Sequence, residues 1–532
     1  MRHSSVKSGE RNSPKDLYRQ WRTLTWSRLW TEEVARFDRA TPRERSERVA
    51  VIRAVGVVFS ESGPAGQKEE VRRWLLRQLQ DPCEKIRRYA MAALPKIGAG
   101  PKEEAALLSL LSSTSFEREK RFLTQALEKI GGTATLETIN NGAPGFSPQT
   151  GQKVQARVAR GQSPSVIRMD SKLSDFTGLR ILLRGRKGLE RIVREEVEAS
   201  PRTRDQFRVA EVGSGWVALT PVAPFALSEI YALRCFGTVG LVAGAVRAAD
   251  EGDSVEALAW LITSPLSQRV LETFTEGPIR YRLNFIAKGH QRGTVRLLSN
   301  RAYALCPKIL NDPQDAPWAM DIYPTGRGYS AEWSPKLTPD PRFYYRRQDV
   351  PAASHPSVAA CLARVAGRVA NEIVWDPFCG SGLELIESAL LGGVRTLYGT
   401  DRSAAAIAIA QSNLAAAKLQ AVQSKFVCCD FRDFATIQGL GPNTVSLIIT
   451  NPPMGKRVPV VNLRGLIEDL LAVAATVLRP GGRLVLANPL ANVSSHPSLA
   501  LHSRRVVDFG GFDCWIEVYR KLSAEDRLTL SR

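Results

Sequence analysis

Two short loops of the chain combine residues that can bind a ligand with residues that can activate an amine. The first loop has the sequence Asp-Pro-Phe-Cys-Gly-Ser-Gly at 376–382 and joins an apolar strand pattern to a helical pattern at Leu383 to Leu391. Glycines between a strand and a helix let the backbone approach a ligand, and they direct the first helical N–H groups toward it. This loop is therefore predicted to be a ligand cradle.

The second loop has the sequence Asn-Pro-Pro-Met at 451–454 and follows a buried-strand pattern at Val445 to Thr450. Its prolines stiffen the backbone and carry no N–H, so the loop presents the Asn451 side-chain oxygen and the Pro452 carbonyl as acceptors. An exocyclic ring amine is a poor nucleophile because its lone pair is delocalised into the ring. Two acceptors that each take one amino hydrogen would hold the nitrogen nearer to tetrahedral. The loop therefore predicts chemistry on an amine, either of a nucleobase or of an amide.

Further acidic residues follow strand patterns between these two loops. Asp401 ends the pattern at 397–401, where a doubly wound fold places the carboxylate that binds a pair of ribose hydroxyls. Asp430 and Phe431 end the pattern at 426–431, which suits an adenine amino group and an adenine ring face. Alternating strands and helices predict a mainly parallel sheet, and ligands bind such a sheet at the carboxyl ends of its strands.

Together, these features resemble the S-adenosylmethionine-dependent methyltransferases of the amino-methylating group, which carry an Asp-Pro-Phe-Cys-Gly-Ser-Gly first motif and an Asn-Pro-Pro-x catalytic motif. More narrowly, residues 351–522 are similar to the THUMP-linked RNA guanine-N2 methyltransferases. The resemblance implies a C-terminal α/β domain with the Rossmann-like class I methyltransferase fold. It also implies S-adenosyl-L-methionine as the cofactor and an RNA, either tRNA or rRNA, as the substrate.

The resemblance assigns roles to the positions that match the two motifs. The residues implied to bind the cofactor are Asp376, Phe378, Cys379, Gly380, Gly382, Asp401, Asp430 and Phe431. The residues implied to be catalytic are Asn451, Pro452, Pro453 and Met454. Lys456 and Arg457 would meet the phosphates beside the target base. His355, outside this main set, is a candidate contact to the methionine end of the cofactor.

Met454 departs from the family pattern. Members of the family often place Tyr or Phe at this position, where the ring lies on a base turned out of its stack. A thioether covers a ring face less selectively, so Phe378, Phe431 or Tyr345 would have to compensate. Two alternatives to guanine-N2 methylation of RNA therefore stay open. One is a DNA adenine-N6 or protein glutamine-N5 methyltransferase, and the other is a catalytically silent RNA-binding protein.

Composition favours a multidomain protein with a polyanionic partner. The 532 residues are too many for one core, and the formal net charge is +20, which favours nucleic acid through counterion release. The eight cysteines include no Cys-x-x-Cys pair, so neither a zinc site nor a disulfide framework is indicated. The chain shows no run as apolar as a membrane span and no signal sequence. A reducing compartment, the cytoplasm, is predicted.

Five regions are predicted from composition and periodicity. An internal repeat is the strongest upstream signal, because Arg88-Tyr89 and Ala93-Leu94 recur as Arg121-Phe122 and Ala126-Leu127 in paired helical patterns that resemble HEAT-type repeats. The basic residues near the helix starts either track a phosphate backbone or form the solvated side of the array, and a protein partner for the repeats is also open. The predicted regions are a flexible basic tail (1–16), a helical HEAT-like repeat domain (17–138), a linker (139–174), a ferredoxin-like/THUMP-like RNA-binding region (175–345) and the methyltransferase domain (346–532).

The ferredoxin-like assignment rests on a strand-helix-strand-strand-helix order. The predicted elements are a strand at 179–184, a helix at 188–199, strands at 207–212 and 216–219, a helix at 225–233, and further strands at 279–287 and 294–298. In the methyltransferase domain, the later predicted elements are a helix at 463–478, a turn at 479–482, a strand at 483–487 and a last strand at 512–519. The position of the first group, just before the catalytic domain, is that of the THUMP region in the resembled family.

Overall fold

The computed structural model describes residues 14–98, 100–143, 145–247, 251–286, 291–314, 316–351, 353–455, 460–492 and 495–523. The chain divides after Pro164 into two compact units, an all-helical one and an α/β one. None of the helices in these ranges is long and apolar enough to cross a bilayer. The five predicted domain boundaries stay predictions.

The first unit is built from short helices around an apolar core. Its helices are α1 (Pro14–Arg22), α2 (Trp26–Arg28), α3 (Ala35–Arg39), α4 (Pro42–Glu47), α5 (Ala50–Ser62), α6 (Lys68–Leu79), α7 (Glu84–Ile97), α8 (Pro101–Ser113), α9 (Glu117–Ile130), α10 (Thr133–Asn140) and α11 (Pro148–Gln162), with a π-helical segment at Leu29–Val34 and a 3-10 turn at Ala65–Gln67. Helices α7 and α9 have the same length, and each buries the Ala-Leu pair of the predicted repeat. The paired helices agree with the repeat pattern, while the HEAT-like assignment stays a prediction.

Helix α11 corrects part of the predicted linker at 139–174. The segment is poor in apolar residues, so its composition suggested a linker, but its ends and contacts favour a helix. Ser147 accepts a hydrogen bond from the Thr150 N–H at 3.1 Å, which caps the first turn. Arg157 donates to the main-chain oxygens of Gly131 and Glu128. Of the predicted tail at 1–16, residues 1–13 lie outside the described ranges and the rest begins α1.

The second unit opens with an eight-stranded mixed sheet whose order is β10-β9-β11-β12-β7-β3-β5-β4. The elements of this part are β1 (Val166–Ile167), β2 (Lys172–Leu173), β3 (Ile181–Arg184), α12 (Glu190–Ala199), β4 (Phe207–Gly213), β5 (Trp216–Pro221), β6 (Phe225–Ala226), α13 (Leu227–Ile230), β7 (Thr238–Arg247), α14 (Glu251–Thr263), α15 (Pro265–Phe274), β8 (Thr275–Glu276), β9 (Ile279–Phe285), α16 (Arg292–Leu305), β10 (Ile309–Asn311), β11 (Trp318–Thr325) and β12 (Gly328–Pro335), with a 3-10 turn at Pro341–Phe343. The ferredoxin-like and THUMP-like assignments of this sheet stay predictions.

Two predicted elements of this part are wrong or too long. The segment at 294–298 is not a strand but lies inside α16, because its apolar positions continue to Ala302 at helical spacing and bury Leu298 and Ala302. The β-branched Thr294 and Val295 had favoured a strand. The predicted helix at 225–233 is shorter, since its first two residues form β6 and pair with β2.

The C-terminal part of the second unit is a doubly wound sheet. Its elements are α17 (Pro356–Ala366), β13 (Glu372–Asp376), α18 (Leu383–Leu391), β14 (Val394–Asp401), α19 (Ala404–Ala416), β15 (Gln423–Cys428), a 3-10 turn (Phe431–Thr436), β16 (Val445–Thr450), α20 (Leu463–Val477), β17 (Leu478–Asn488), β18 (Leu499–Asp508) and β19 (Asp513–Lys521). The strand order is β15-β14-β13-β16-β17-β19-β18, and β19 runs antiparallel to both of its neighbours. The winding direction reverses between β13 and β16, which is where ligands bind in such sheets.

The structure corrects the C-terminal edge of this sheet. The predicted turn at 479–482 is part of strand β17. Over this stretch β17 has more residues than its partner β16, and the register between the two strands shifts between Val445 and Leu447. Strand β18 was not predicted, because Leu499–Asp508 mixes apolar with basic residues and has no clean alternation. The last strand β19 therefore lies inside the sheet, between β17 and β18.

Candidate active site

The predicted cradle connects β13 to α18 by a tight turn. Gly380 and Gly382 have φ values of 50° and 83°, in the left-handed region that favours glycine. A Cβ atom on Gly382 would lie 3.2 Å from the Ala410 Cβ of α19, closer than side chains normally pack. Glycine at 382 therefore allows both the turn and the close approach of two helices.

The carboxylate of Asp376 is fully buried at the end of β13. Its Oδ1 accepts hydrogen bonds from the Thr450 hydroxyl at 2.6 Å and from the Phe378 N–H at 3.0 Å. Its Oδ2 is buried and has no hydrogen-bond partner among the described residues. Burial, followed by the negative charge of Glu384, holds the pKa of Asp376 well above its ordinary value. The site thus contains a carboxylate oxygen that a cationic ligand group would satisfy.

The Thr450 bond also joins the two loops that the sequence singled out. Thr450 ends β16, which pairs in parallel with β13 through Val374 and Leu447, so Asn451 and Asp376 lie at adjacent strand ends. Asn451 donates from Nδ2 to the Ser354 hydroxyl oxygen at 2.7 Å. Its Oδ1 is buried and, in the part of the chain that the structure describes, has no partner. The two loops therefore contribute one open acceptor each to the same edge.

The three residues that follow Asn451 are partly or fully buried. Pro452 is buried, and Pro453 and Met454 are half-buried. Lys456 and Arg457, predicted to meet RNA phosphates, lie outside the described residues. The placement of the four catalytic candidates is compatible with a shielded corner.

Asp401 is linked to the cradle through the main chain. Its Oδ2 accepts from the Gly380 N–H at 3.0 Å, and its Oδ1 accepts from the Ser403 N–H at 2.9 Å. Cys379 is buried and donates its N–H to the Thr400 oxygen, one residue before Asp401. The ends of β13 and β14 are thus tied together beneath the turn.

Asp430 and Phe431 occupy the end of β15 with partners of their own. Asp430 caps the 3-10 turn and pairs with Arg432 at 3.0 Å. The Phe431 ring is only 2% exposed and packs on the half-buried Phe378 ring at a centroid separation of 4.9 Å. Little of the Phe431 ring is open to a ligand, so Phe378 offers more aromatic surface at this end of the site.

Several functional contacts of the site were missed in the sequence. Asn413, fully buried in α19, accepts from the N–H groups of Arg347 and Gln348 and donates to the oxygen of Ser381 in the cradle. The Ser381 hydroxyl donates to Asp349 at 2.9 Å. These bonds hold the segment before α17 against the cradle. The only local signal was Asn413 itself, a polar residue in an alanine-rich helix.

Two of the candidates outside the main set have structural roles. The Tyr345 ring is fully buried and its hydroxyl donates to Glu387 at 2.5 Å, so it cannot cover a target base in place of a residue at 454. His355 caps α17 by accepting from the Ser357 N–H at 3.3 Å, and burial lowers the pKa of its imidazole. Within the described ranges, no group of three or more His, Cys, Asp or Glu side chains could hold a metal ion.

The sheet order and the cradle agree with the similarity of this part of the chain to S-adenosylmethionine-dependent methyltransferase domains. Residues 344–493 match the family described as RMKL-like, methyltransferase domain. The match covers the region from the segment before α17 to the end of β17.

Two curated relatives are methyltransferases that match part of this chain. One relative is the tRNA (guanine(10)-N2)-dimethyltransferase of Methanocaldococcus jannaschii, 30% identical over 165 residues, which are 30% of this chain and 43% of that protein. Another is the ribosomal protein L11 methyltransferase of Teredinibacter turnerae, 30% identical over 138 residues, which are 26% of this chain and 40% of that protein. The chain thus spans less than half the length of these relatives.

A solved structure aligns with a larger share of the chain. TrmN from Thermus thermophilus aligns with a TM-score of 0.51 and 23% sequence identity, and the alignment covers 65% of this chain and all of that one. An alignment at 23% identity shows a shared fold and does not identify a substrate.

Proposed function

We propose that the protein is an S-adenosylmethionine-dependent RNA methyltransferase that transfers a methyl group to the exocyclic N2 of guanine in tRNA or rRNA. The observation that carries the proposal is a pair of buried, unpartnered acceptors, Asp376 Oδ2 and Asn451 Oδ1, at adjacent strand ends and joined through Thr450. The Asp376 oxygen suits a cation, and the Asn451 oxygen suits an amine. The similarity to tRNA (guanine(10)-N2)-dimethyltransferases supports guanine in RNA as the target.

The residues of the cradle fit the cofactor. The open oxygen of Asp376 would accept from the ammonium group of the methionine part, and this cation would offset the cost of the buried charge. The glycines at 380 and 382 leave room for the ligand, and Asp401 would take ribose hydroxyls, with Asp430 and the rings of Phe378 and Phe431 toward the adenine. When bound, S-adenosyl-L-methionine supplies a methyl group already activated by its sulfonium.

The chain's own task is to place the amine. Asn451 Oδ1 and the Pro452 carbonyl would each accept one amino hydrogen, which turns the nitrogen lone pair toward the methyl donor. Since the donor is already activated, placement contributes more than a strong base does. Met454, following the two prolines, would cover one face of the extruded base through its thioether.

The upstream regions would dock the RNA. Several basic residues of the helical repeats are already used inside the protein: Arg87 pairs with Glu119 at 2.5 Å, Arg88 is buried over the Phe122 ring, and Lys85 donates to the Ser46 oxygen. We therefore assign most of the docking to the THUMP-like region at 175–345, and phosphate contacts beside the target to Lys456 and Arg457. A protein partner would fit the repeats better than a phosphate backbone.

Nucleoside mass spectrometry tests the substrate directly. RNA from cells with and without the gene is digested and compared, and loss of N2-methylguanosine is expected when the gene is removed. Purified protein is then assayed with labelled cofactor on tRNA, rRNA, DNA and total protein, with Asn451→Ala as the matched inactive variant. Loss of N6-methyladenosine instead would contradict the guanine assignment and leave the amine chemistry intact.

A protein substrate is the second candidate. It is favoured by Met454, which selects less strongly for an aromatic base than Tyr or Phe would, and by the similarity to a ribosomal protein L11 methyltransferase. An amide or amino group of a side chain would use the same two acceptors. Label in protein and none in RNA, in the assay above, would favour this candidate over the first.

A further inference from the structure

Glu384 is a buried carboxylate that the catalytic scheme above does not use. It is the second residue of α18, is 4% exposed, and stands between the apolar Leu383 and Leu385. A buried carboxylate is costly unless it is hydrogen-bonded or paired with a cation. One turn further along the same helix, Glu387 has such a cation, because Arg234 donates to both of its oxygens at 2.7 and 2.8 Å. Glu384 instead hydrogen-bonds a neutral group, the hydroxyl of Ser354.

Ser354 links Glu384 to Asn451 through two hydrogen bonds. The Ser354 hydroxyl donates its single proton to a carboxylate oxygen of Glu384. With its proton directed to Glu384, the Ser354 oxygen accepts from Asn451 Nδ2 at 2.7 Å. The other end of that amide is Asn451 Oδ1, the buried acceptor without a partner among the residues described.

We propose that Glu384 and Ser354 are positioning residues that lock the Asn451 amide in one orientation, with its oxygen free for the amine. The inference deepens the proposed function and rests on it, because it assigns to these two residues the placement of the acceptor. Without the Ser354 hydroxyl, the amide is free to rotate by half a turn and to present NH2 where an oxygen is needed. An NH2 group there would repel the amine that the site has to hold.

The kinetic test compares Ser354→Ala with Ser354→Thr and with Ser388→Ala. Ser388 is a matched control, since it is also buried in α18 and donates to the main-chain oxygen of Glu384 at 2.8 Å, but it does not touch Asn451. We expect Ser354→Ala to lower kcat about 10- to 100-fold, with KM for RNA and calorimetric Kd for S-adenosylmethionine within about twofold. Ser354→Thr, which keeps the hydroxyl, should restore most of kcat, and Ser388→Ala should keep wild-type kcat.

A second measurement decides the inference without any substrate. High-resolution crystal structures of the wild type and of Ser354→Ala would show the Asn451 amide and its hydrogen-bond partners. We expect one orientation in the wild type, and a second orientation or a rotated side chain in the variant. A single unchanged orientation in Ser354→Ala, or wild-type kcat in that variant, would overturn the inference. A wild-type protein inactive on RNA, DNA and protein alike would refute the proposed function, and the crystal comparison alone would then decide the orienting role.

Discussion

Two fully buried carboxylates, one in each unit of the chain, show how a structural acid differs from a functional one. Glu119 in α9 accepts from Arg87 at 2.5 and 2.9 Å and from the Thr114 hydroxyl at 2.5 Å. Asp376 in the cradle accepts only neutral donors and keeps one oxygen without a partner in the described chain. The same degree of burial therefore accompanies a completed ion pair in one unit and an incomplete site in the other.

The pKa values of the two groups move in opposite directions for this reason. Burial is the largest influence on the Glu119 pKa and acts upward, but the hydrogen bonds from Arg87 and Thr114 outweigh it and leave the pKa below its ordinary value. Burial also acts upward on Asp376, the charge of Glu384 adds to it, and no cation opposes them strongly enough. A buried acid with a raised pKa and an open oxygen is a better indicator of a ligand site than burial alone.

The largest expected effect tests the functional side of the comparison. Asn451→Ala removes the open acceptor next to Asp376 and should lower kcat for methyl transfer about 100- to 1,000-fold, the scale seen when one preorganised hydrogen-bonding group is lost. Radiolabelled transfer to RNA measures the effect, while calorimetry should show cofactor affinity close to wild type. Full activity in this variant would contradict the role of the acceptor corner.

The next effect tests the structural side. Glu119→Gln removes the charge that compensates Arg87, so we expect the free energy of unfolding of the helical unit to fall by about 3 kcal/mol. Thermal and urea denaturation of the full chain measure it. Glu32→Gln is the control in the same unit, because the Arg28–Glu32 pair is exposed, at 63% and 44% of its side chains, and should contribute less than about 1 kcal/mol. A loss no larger than that of the control would show that Glu119 is not structural.

Asp376→Asn should weaken cofactor binding without lowering stability, whereas Glu119→Gln should lower stability. The asparagine oxygen can still accept from Thr450 and Phe378, but its NH2 group replaces the open Oδ2 and faces the cofactor ammonium. We expect calorimetric Kd for S-adenosylmethionine to rise about 10- to 100-fold, the cost of one charge-assisted hydrogen bond. Stability without cofactor should be unchanged or higher, because a buried charge is removed. A large loss of stability instead would place Asp376 with Glu119 as a structural acid.

The sequence predicted the parts of the site that local patterns determine. The helix at Leu383–Leu391 and the strand at Val445–Thr450 have the predicted bounds, because each is mainly apolar and is followed by a glycine or by the Asn-Pro-Pro loop. The contacts of Ser354 and Asn413 were out of reach, since they join residues separated by 97 and 66 positions. Only the packing of the segment before α17 onto the cradle brings these side chains together, and no periodicity records that packing.

The same dependence on contacts with other elements explains the helix and the strand that the sequence did not predict. Helix α11 was missed because its stability comes from a serine cap and from arginine and lysine contacts to the end of α9, among them Lys153 with Glu128. Strand β18 was missed because its partner β19 follows it in the chain and supplies the pairing that its own composition does not suggest. Elements that depend on a neighbour rather than on their own apolar pattern were the ones the sequence did not predict.

The smallest expected effect is a pH dependence of opposite sign in the two variants. A lowered pKa means that Glu119 stabilises the fold above its ordinary pKa, and this stabilisation is lost as pH falls through the lowered value. A raised pKa means that folded Asp376 binds its proton more readily than the unfolded chain does, so its contribution to stability rises as pH falls toward its ordinary value. Wild type should be more stable than Glu119→Gln, and this difference should become smaller as the pH falls. Asp376→Asn should be more stable than wild type, and this difference should also become smaller as the pH falls, because wild type gains stability. Denaturation of the three proteins between about pH 8 and pH 2 measures both. Cofactor affinity of the wild type should weaken over the same range, because the ammonium group needs Asp376 ionised, and an affinity independent of pH would contradict that contact.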